Sequence, residues 1–412
     1  MDLNISEIDN KIEEEILKNL NELNDYDRIK FYMTYEMNEH LAPNILSKLA
    51  ESKYSKIYID VALHPKTSQE TLYKLSKNEN VDVKCAVAHN KNTPAKILES
   101  LAKEKDINIQ LEVANNENTP AKILDELAKV GNFDVCKMIA CNENTSPDTL
   151  KSLATSVNIN VREAVAKNKN TPLEILYELS KDINTNVRYA VVVNSNTSKE
   201  ILKNLALTEL KAENPNEDLL RVLASNKNTP SEILDKLSKD ENLSVRVSLA
   251  TNESTPPETL NELSKNKDAL VKTSVAGNKN TPEETLNELS KNKDENIKLA
   301  VAGNENAPEE TLNELSKDKK DDIRENVASN KNTPSEILNI LSNDASHFVR
   351  FFVAENKNTP KETLEKLVKD KDKLVSETAK DSLNYIKSNL TPMNKADLGI
   401  EADSREKEDY ER

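Results

Sequence analysis

One asparagine returns at a fixed interval through most of this chain, and that interval constrains the fold more than any other feature. It stands at Asn90, Asn116, Asn142, Asn168 and Asn194, then at Asn226, Asn252, Asn278, Asn304, Asn330 and Asn356, in steps of 26 residues with one step of 32 between Asn194 and Asn226. The same interval counted backward reaches His64, followed by Pro65, and Asn38, followed by Ala42-Pro43, which makes thirteen anchors. A period of this size marks stacked two-element units. A unit so short buries too little surface to fold alone, so it must nest on its neighbours at roughly 8 to 10 Å, one helix-packing distance. The expected fold is all-α: a right-handed α-solenoid (superhelix) of about 13 tandem 26-residue two-helix repeats.

Each segment of a unit has a physical reason. Thr281-Pro282-Glu283-Glu284 places a hydroxyl at the expected N-cap and a proline at the first helical position, where its missing N–H costs nothing. A carboxylate three residues after the cap completes the pattern of a capping box. The arrangement recurs at Thr171, Thr229, Thr255, Thr333 and Thr359, whereas Lys96 and Lys122 replace the acidic arm in their units. Ile97, Leu98 and Leu101, or Ile337, Leu338 and Leu341, then line one face of a short helix A. A polar turn such as Lys239-Asp240-Glu241-Asn242 follows, and a second segment puts Val161, Val165 and Ala166 on one face of a helix B. The terminal asparagine is expected in the left-handed conformation that closes a helix, eased by the preceding Gly277 and Gly303. The repeated Asn-x-Asn reads as caps and inter-turn hydrogen bonds in preference to a polar recognition face.

The pattern divides the chain into residues 1–37, an N-terminal helical cap with Ile5, Ile8, Ile12 and Ile16 on one stripe; residues 38–386, the repeat solenoid; and residues 387–412, an acidic tail expected to be disordered. A separate docking helix is the alternative for the first segment. The six extra residues between Asn194 and Asn226 read as a lengthened helix A with a longer polar turn, or as a protruding element that touches a partner.

Composition removes several function classes. Hydrophobic residues make up 36% and charged residues 31%, but the apolar ones fall at regular positions, which favours order. The four glycines, Gly131, Gly277, Gly303 and Gly399, are too few and too scattered for phosphate-cradling loops or dinucleotide turns. A net charge of −15 opposes broad association with nucleic acid or anionic membrane. Cys85, Cys136 and Cys141 form no disulfide framework and suit a reducing compartment. The start, MDLNISEIDN, lacks the regions of a signal peptide, and no apolar run of about 18 residues could span a bilayer. A cytoplasmic protein with no membrane partner is the expectation.

The succession Val-Arg-x-x-Val-Ala-x-Asn-x-Asn-Thr-Pro, read at Val161 to Pro172, resembles the leucine-rich repeat variant family. It is also similar to HEAT repeats, through the proline opening helix A and an Asp five residues before Val and six before Arg, as in Asp182, Val187 and Arg188. The first resemblance implies that an α-helix alternates with a second short helix, and leaves open whether helix B is α or 3₁₀. Some leucine-rich variant relatives carry a cysteine-rich iron–sulfur module ahead of the repeats; residues 1–37 hold no cysteine, so that feature is not carried over. Neither resemblance names an activity.

A basic ladder runs along helix B: Lys84, Arg162, Arg188, Arg246, Lys272, Lys298, Arg324 and Arg350 share one register, interrupted by Tyr58, Gln110, Cys136 and Leu220. Cations spaced by one packing distance can follow a phosphodiester backbone. The HEAT-like resemblance implies instead that each cation bonds the turn Asp or Asn of an adjacent unit, at Asp182, Asp240, Asp318, Asp344, Asn78, Asn266 and Asn292, and this structural reading is preferred. Scarce aromatics also leave no stacking platform for single strands. The next register varies freely, through Cys85, Leu111, Lys137, Glu163, Tyr189, Val247, Thr273, Leu299, Glu325 and Phe351, as a recognition surface would. Tyr189, Leu299, Phe351 and Phe352 are the candidate partner-binding residues, against the plainer reading of inter-unit packing.

Chemistry is poorly supported. Cys85 and His89 lie four apart on one helix, but Cys136 and Cys141 follow two units later, and His40, His64, His89 and His347 are scattered. The carboxylates fill caps and solvated faces. No catalytic residue, metal or cofactor is assigned. The sequence therefore reads as a noncatalytic scaffold binding a protein or peptide along a solenoid groove. Its alternatives are a HEAT-like nucleic-acid binder using the basic ladder and a repeat enzyme with an unrecognised site.

Overall fold

The computed structural model describes residues 42–51 and 55–389; the expected cap, residues 1–37, and residues 390–412 of the expected tail lie outside them. The described residues form 26 helices and no strand, from Pro43–Leu49 to Lys373–Asn389. They fall into two units, one ending at Thr208 and one starting at Glu209. Within each unit a helix A and a helix B alternate, as in Leu173–Leu179 followed by Thr185–Val193, or Ser335–Leu341 followed by His347–Glu355. Within each unit successive helices B pack on one another, as Val81–His89 does on Ile107–Asn115 and Leu243–Thr251 on Ala269–Gly277, and helix A packs on helix B, as Gln69–Leu75 does on Val81–His89. Each unit is therefore an α-solenoid. Among the described residues helix B is α-helical throughout and nine residues long in every repeat but the last, for example Ile159–Lys167.

Helices of seven to nine residues do not persist alone in water, so the stack must hold them. The expected apolar faces are the ones buried: Ile175, Leu176 and Leu179 on helix A, and Val161, Ala164, Val165 and Ala166 on helix B. Each branched side chain so removed from water contributes roughly 1.5 to 3 kcal/mol.

The polar Asn-x-Asn-Thr-Pro run has a different logic from the one expected. The capping box does not form at Thr171, Thr229, Thr255, Thr281, Thr333 or Thr359. Pro172, Pro230, Pro256, Pro282, Pro334 and Pro360 occupy the N-cap of helix A and offer it no side-chain acceptor. The threonine hydroxyl instead donates backward to a carbonyl six residues earlier, at the end of helix B: Thr171 to Val165 at 2.5 Å, Thr229 to Leu223 at 2.7 Å, Thr255 to Leu249 at 2.6 Å. Thr281, Thr333 and Thr359 do the same to Val275, Val327 and Val353. The physical reason is that helix B leaves its last carbonyls without helical partners, and the buried threonine is the nearest donor.

Nor does the asparagine turn left-handed. Asn168 has φ −65° and ψ 124°, Asn278 φ −77° and ψ 129°, both extended, while Gly277 and Gly303 are the last helical residues before their asparagines. The extended backbone aims the side chain across the stack. Asn168 Nδ2 donates to Ala140 O at 2.8 Å and Asn142 O at 3.0 Å in the preceding repeat, and its Oδ1 accepts from Asn170 N at 2.8 Å. Asn116, Asn194, Asn252, Asn304 and Asn356 repeat the pattern. The second asparagine of the run reaches the same way: Asn170 Nδ2 donates to Glu143 O at 2.6 Å. The motif is thus an internal ladder of side-chain amides that satisfies backbone carbonyls of the preceding repeat and an N–H of its own turn.

Two places depart from the period. After Asn194 the helix Lys199–Glu209 is 11 residues long, and a longer polar turn follows. Buried Glu209 accepts from Asn216 N at 2.6 Å, and Asn216 caps Glu217–Ser225. At the other end Ser382 holds the asparagine register and gives its hydroxyl to Ala354 O at 2.7 Å, after which the helix runs on to Asn389.

Candidate functional site

Five rungs of the basic ladder, Lys84, Arg162, Lys298, Arg324 and Arg350, bond to the next repeat. Arg162 Nε and Nη2 hold Asp182 of the next repeat at 2.6 and 3.0 Å, while Nη1 donates to Ser156 O at 2.8 Å in its own turn. Arg324 with Asp344 and Arg350 with Asp370 repeat this two-pronged grip at 2.7 to 3.0 Å. Lys298 reaches Asp318 at 2.7 Å, and Lys84 reaches Glu104 at 2.7 Å. Arg188 and Arg246 give Nη1 to Asp182 O and Asp240 O at 2.9 and 2.6 Å. For Arg246 and Lys272 the matching turn residues are Asn266 and Asn292. Burial works against the Asp182 carboxylate, but hydrogen bonds from Arg162 and from Asn184 N outweigh it and hold the carboxyl below its usual range. The hydrogen bond with Asp182 pushes the Arg162 guanidinium up. Asp182, Asp318, Asp344 and Asp370 also accept from the backbone N–H two residues on, so one carboxylate joins a turn to the neighbouring helix.

Where the ladder lapses at Gln110 and Cys136 the matching turn residue changes too, whereas Leu220 keeps an acid opposite it. Gln110 stands opposite Val130 and Cys136 opposite Ser156. Gln110 gives its amide to Glu104 O at 2.8 Å, and Cys136 Sγ lies 3.9 Å from Ala128 O. Leu220 is buried, and Asp240 at its matching place accepts from Asn242 N at 2.8 Å.

The register after the ladder is uneven. Tyr189 is exposed at 36%, Leu299 is half-buried, and Phe351 and Phe352 are half-buried with their rings edge to face at 5.3 Å. Phe348, on the same helix and 49% exposed, was missed by sequence reasoning, which took Phe352 beside the variable register and no residue before it. Its signal was available: three of the chain's five phenylalanines fall between 348 and 352. His347 lies beside it, ring centroids 4.1 Å apart. The helix His347–Glu355 thus carries an aromatic patch that the stack covers only in part.

The nucleophiles and histidines are not assembled. Burial, then the nearby Glu112, pushes the Cys85 thiol up to about 11, and His89 Nδ1 lies 2.9 Å from Glu112. Cys136 and Cys141 are raised by burial as well. Among the described residues no three His, Cys, Asp or Glu side chains gather as a metal site, and no helix is long and apolar enough to cross a membrane.

The chain is similar to the solved structure of a leucine-rich repeat variant with a novel repetitive structural motif, at 23% identity over 56% of this chain and 88% of that one, with a TM-score of 0.40. It is similar to Kap121p bound to Ste12p at 13% identity, over 90% of this chain and 48% of that one, with a TM-score of 0.36. An engineered protein matches at 16% identity over 83% and 98% of the two chains, with a TM-score of 0.25. No family model and no curated protein matches this sequence.

Proposed function

We propose that this chain is a noncatalytic scaffold that binds a protein or peptide partner on its helix B surfaces. The partly exposed aromatic patch of Phe348, Phe351 and Phe352 carries the reading, with Tyr189 as a separate anchor in the other unit. Aromatic side chains bring a large apolar area at low conformational cost and dominate binding energetics where they are left open. The repeated polar residues support it from the other side: the Asn, Thr and Arg side chains described above are consumed by the stack, so the variable register is what distinguishes one repeat from another. The ion-paired ladder weighs against a nucleic-acid role, because a guanidinium held by Asp182, Asp344 or Asp370 is not offered to phosphate. The free thiols fit a reducing, cytoplasmic setting.

The test is capture from native lysate by the full chain, with proteins quantified against Tyr189→Ala and against Phe351→Ala with Phe352→Ala, each checked for unchanged helicity. Loss of the same captured proteins from a variant supports the reading, and an identical set from all three proteins refutes it. Tight DNA or RNA binding in a filter titration, with an affinity that falls steeply with salt, would replace it by the polyanion reading.

A further inference from the structure

The groove between the helices Ala95–Ala102 and Ala121–Ala128 differs from its counterparts in both charge and floor. Lys96 and Lys122 occupy the register that Glu70, Asp148, Glu174 and every later helix A through Glu362 fill with an acid. The groove encloses about 390 Å³ over Ile123, Leu127 and Val130, with Lys96, Lys103 and Lys122 at its rim. Its two glutamates are answered from within: Glu99 pairs with Lys103 at 3.0 Å and Glu126 with Lys129 at 2.8 Å. The equivalent groove between Pro257–Ser264 and Glu283–Ser290 is smaller, about 280 Å³, and sets Glu258, Glu284 and Glu288 against Lys265 alone. The basic rim is therefore local to one pair of repeats in a chain of net charge −15.

The floor is equally particular. Val130 stands where other repeats carry the turn acid or amide, such as Asp182 and Asn292, and it is 58% exposed. The stack does not need a side chain there for pairing, since Gln110 replaces the cation and bonds within its own turn. Gly131 follows with φ 76°, a left-handed residue that no other described glycine matches.

We propose that this groove docks an acidic linear peptide of a partner protein. One bulky apolar side chain of the peptide packs on Ile123, Leu127 and Val130, and flanking carboxylates meet Lys96 and Lys122. The volume lies in the range of about 300 to 1,000 Å³ typical of ligand pockets, and lysines on flexible stems suit carboxylates of unfixed orientation. The inference rests on the scaffold reading and adds a second binding face with a stated partner chemistry.

The experiment is selection of a random dodecapeptide display library on the full chain, with counter-selection on the Lys96→Glu, Lys122→Glu variant. That variant installs the acid found in other repeats and so keeps the fold. Selected peptides are then labelled and titrated by fluorescence anisotropy. The expected peptides combine carboxylates with a bulky apolar residue, lose about tenfold or more in affinity for the charge-reversed variant and for Val130→Asp, and weaken with added salt. Peptides without carboxylates, or no peptide that distinguishes the two proteins, overturn the proposal. Peptides sensitive to Tyr189→Ala or Phe351→Ala, Phe352→Ala and indifferent to the groove variants overturn it while leaving the scaffold reading intact; groove binding with no effect of those variants on capture does the reverse.

Discussion

Replacing Asn168 by alanine tests the claim that side-chain amides join the repeats. The residue is 5% exposed; its Nδ2 donates to Ala140 O and Asn142 O at 2.8 and 3.0 Å, and its Oδ1 accepts from Asn170 N at 2.8 Å. At about 1 kcal/mol net for each bond, with groups left unpaired in a dry interface, the expected loss is about 3 kcal/mol. The control is Lys169→Ala, next in sequence, whose exposed pair with Glu143 is worth about 1 kcal/mol at most. Urea unfolding followed by helicity gives the global cost, but a repeat array need not unfold in one step. Hydrogen exchange supplies the decisive readout: protection should fall in Phe133–Cys141 and Ile159–Lys167, the helices on either side of the lost bonds, and hold in Val81–His89. Asn168→Asp should cost more than alanine at neutral pH, because it keeps the acceptor, loses both donated bonds and sets a charge against two carbonyls. A cost for Asn168→Ala within about 0.5 kcal/mol of the lysine control, or an exchange change spread evenly over the chain, would refute the reasoning.

Arg350→Met should lose roughly 3 kcal/mol, because it strands Asp370 in a site where the two side chains are 7% and 10% exposed. Arg350→Gln with Asp370→Val, which copies the natural Gln110 and Val130 pair, should recover much of that loss in a double-mutant cycle of urea midpoints. Hydrogen bonds from Arg350 hold the Asp370 carboxyl below its ordinary value. Its contribution is therefore complete above the unfolded pKa of about 3.9 and disappears as pH falls through the lower folded value. Urea midpoints measured on descending pH should show this loss, and Asp370→Asn should flatten the slope. Cys85, with its thiol pushed up to about 11, should alkylate at pH 8 about two orders of magnitude more slowly than a free thiol of ordinary pKa, measured by peptide mass after a timed pulse of iodoacetamide.

The period was legible because the ladder favours one residue type: asparagine's short carboxamide gives two donated bonds to the repeat behind and an acceptor to its own turn, a reach that glutamine, one methylene longer, does not match. The buried faces were legible for the same reason that any short helix is, since Val161, Val165 and Ala166 must share a side to be covered. The threonine was misread because Thr-Pro-x-Glu satisfies the capping-box pattern whichever helix the hydroxyl serves. A clue lay in Thr93 and Thr119, which persist where Lys96 and Lys122 abolish the acidic arm; a threonine kept without its box has its partner elsewhere, and both donate back to Val87 and Val113. Those same lysines were set aside as flaws in a cap. Where proline takes the N-cap the box is gone, and an acid at that position serves the exposed face of its own helix, as Glu200 accepts from Asn204 Nδ2 at 3.2 Å and Glu336 from Ser335 Oγ at 3.0 Å, so its reversal to lysine in two adjacent repeats changes the charge of that face. The groove over Val130 was thus written in the sequence as an exception to a rule that the structure removes.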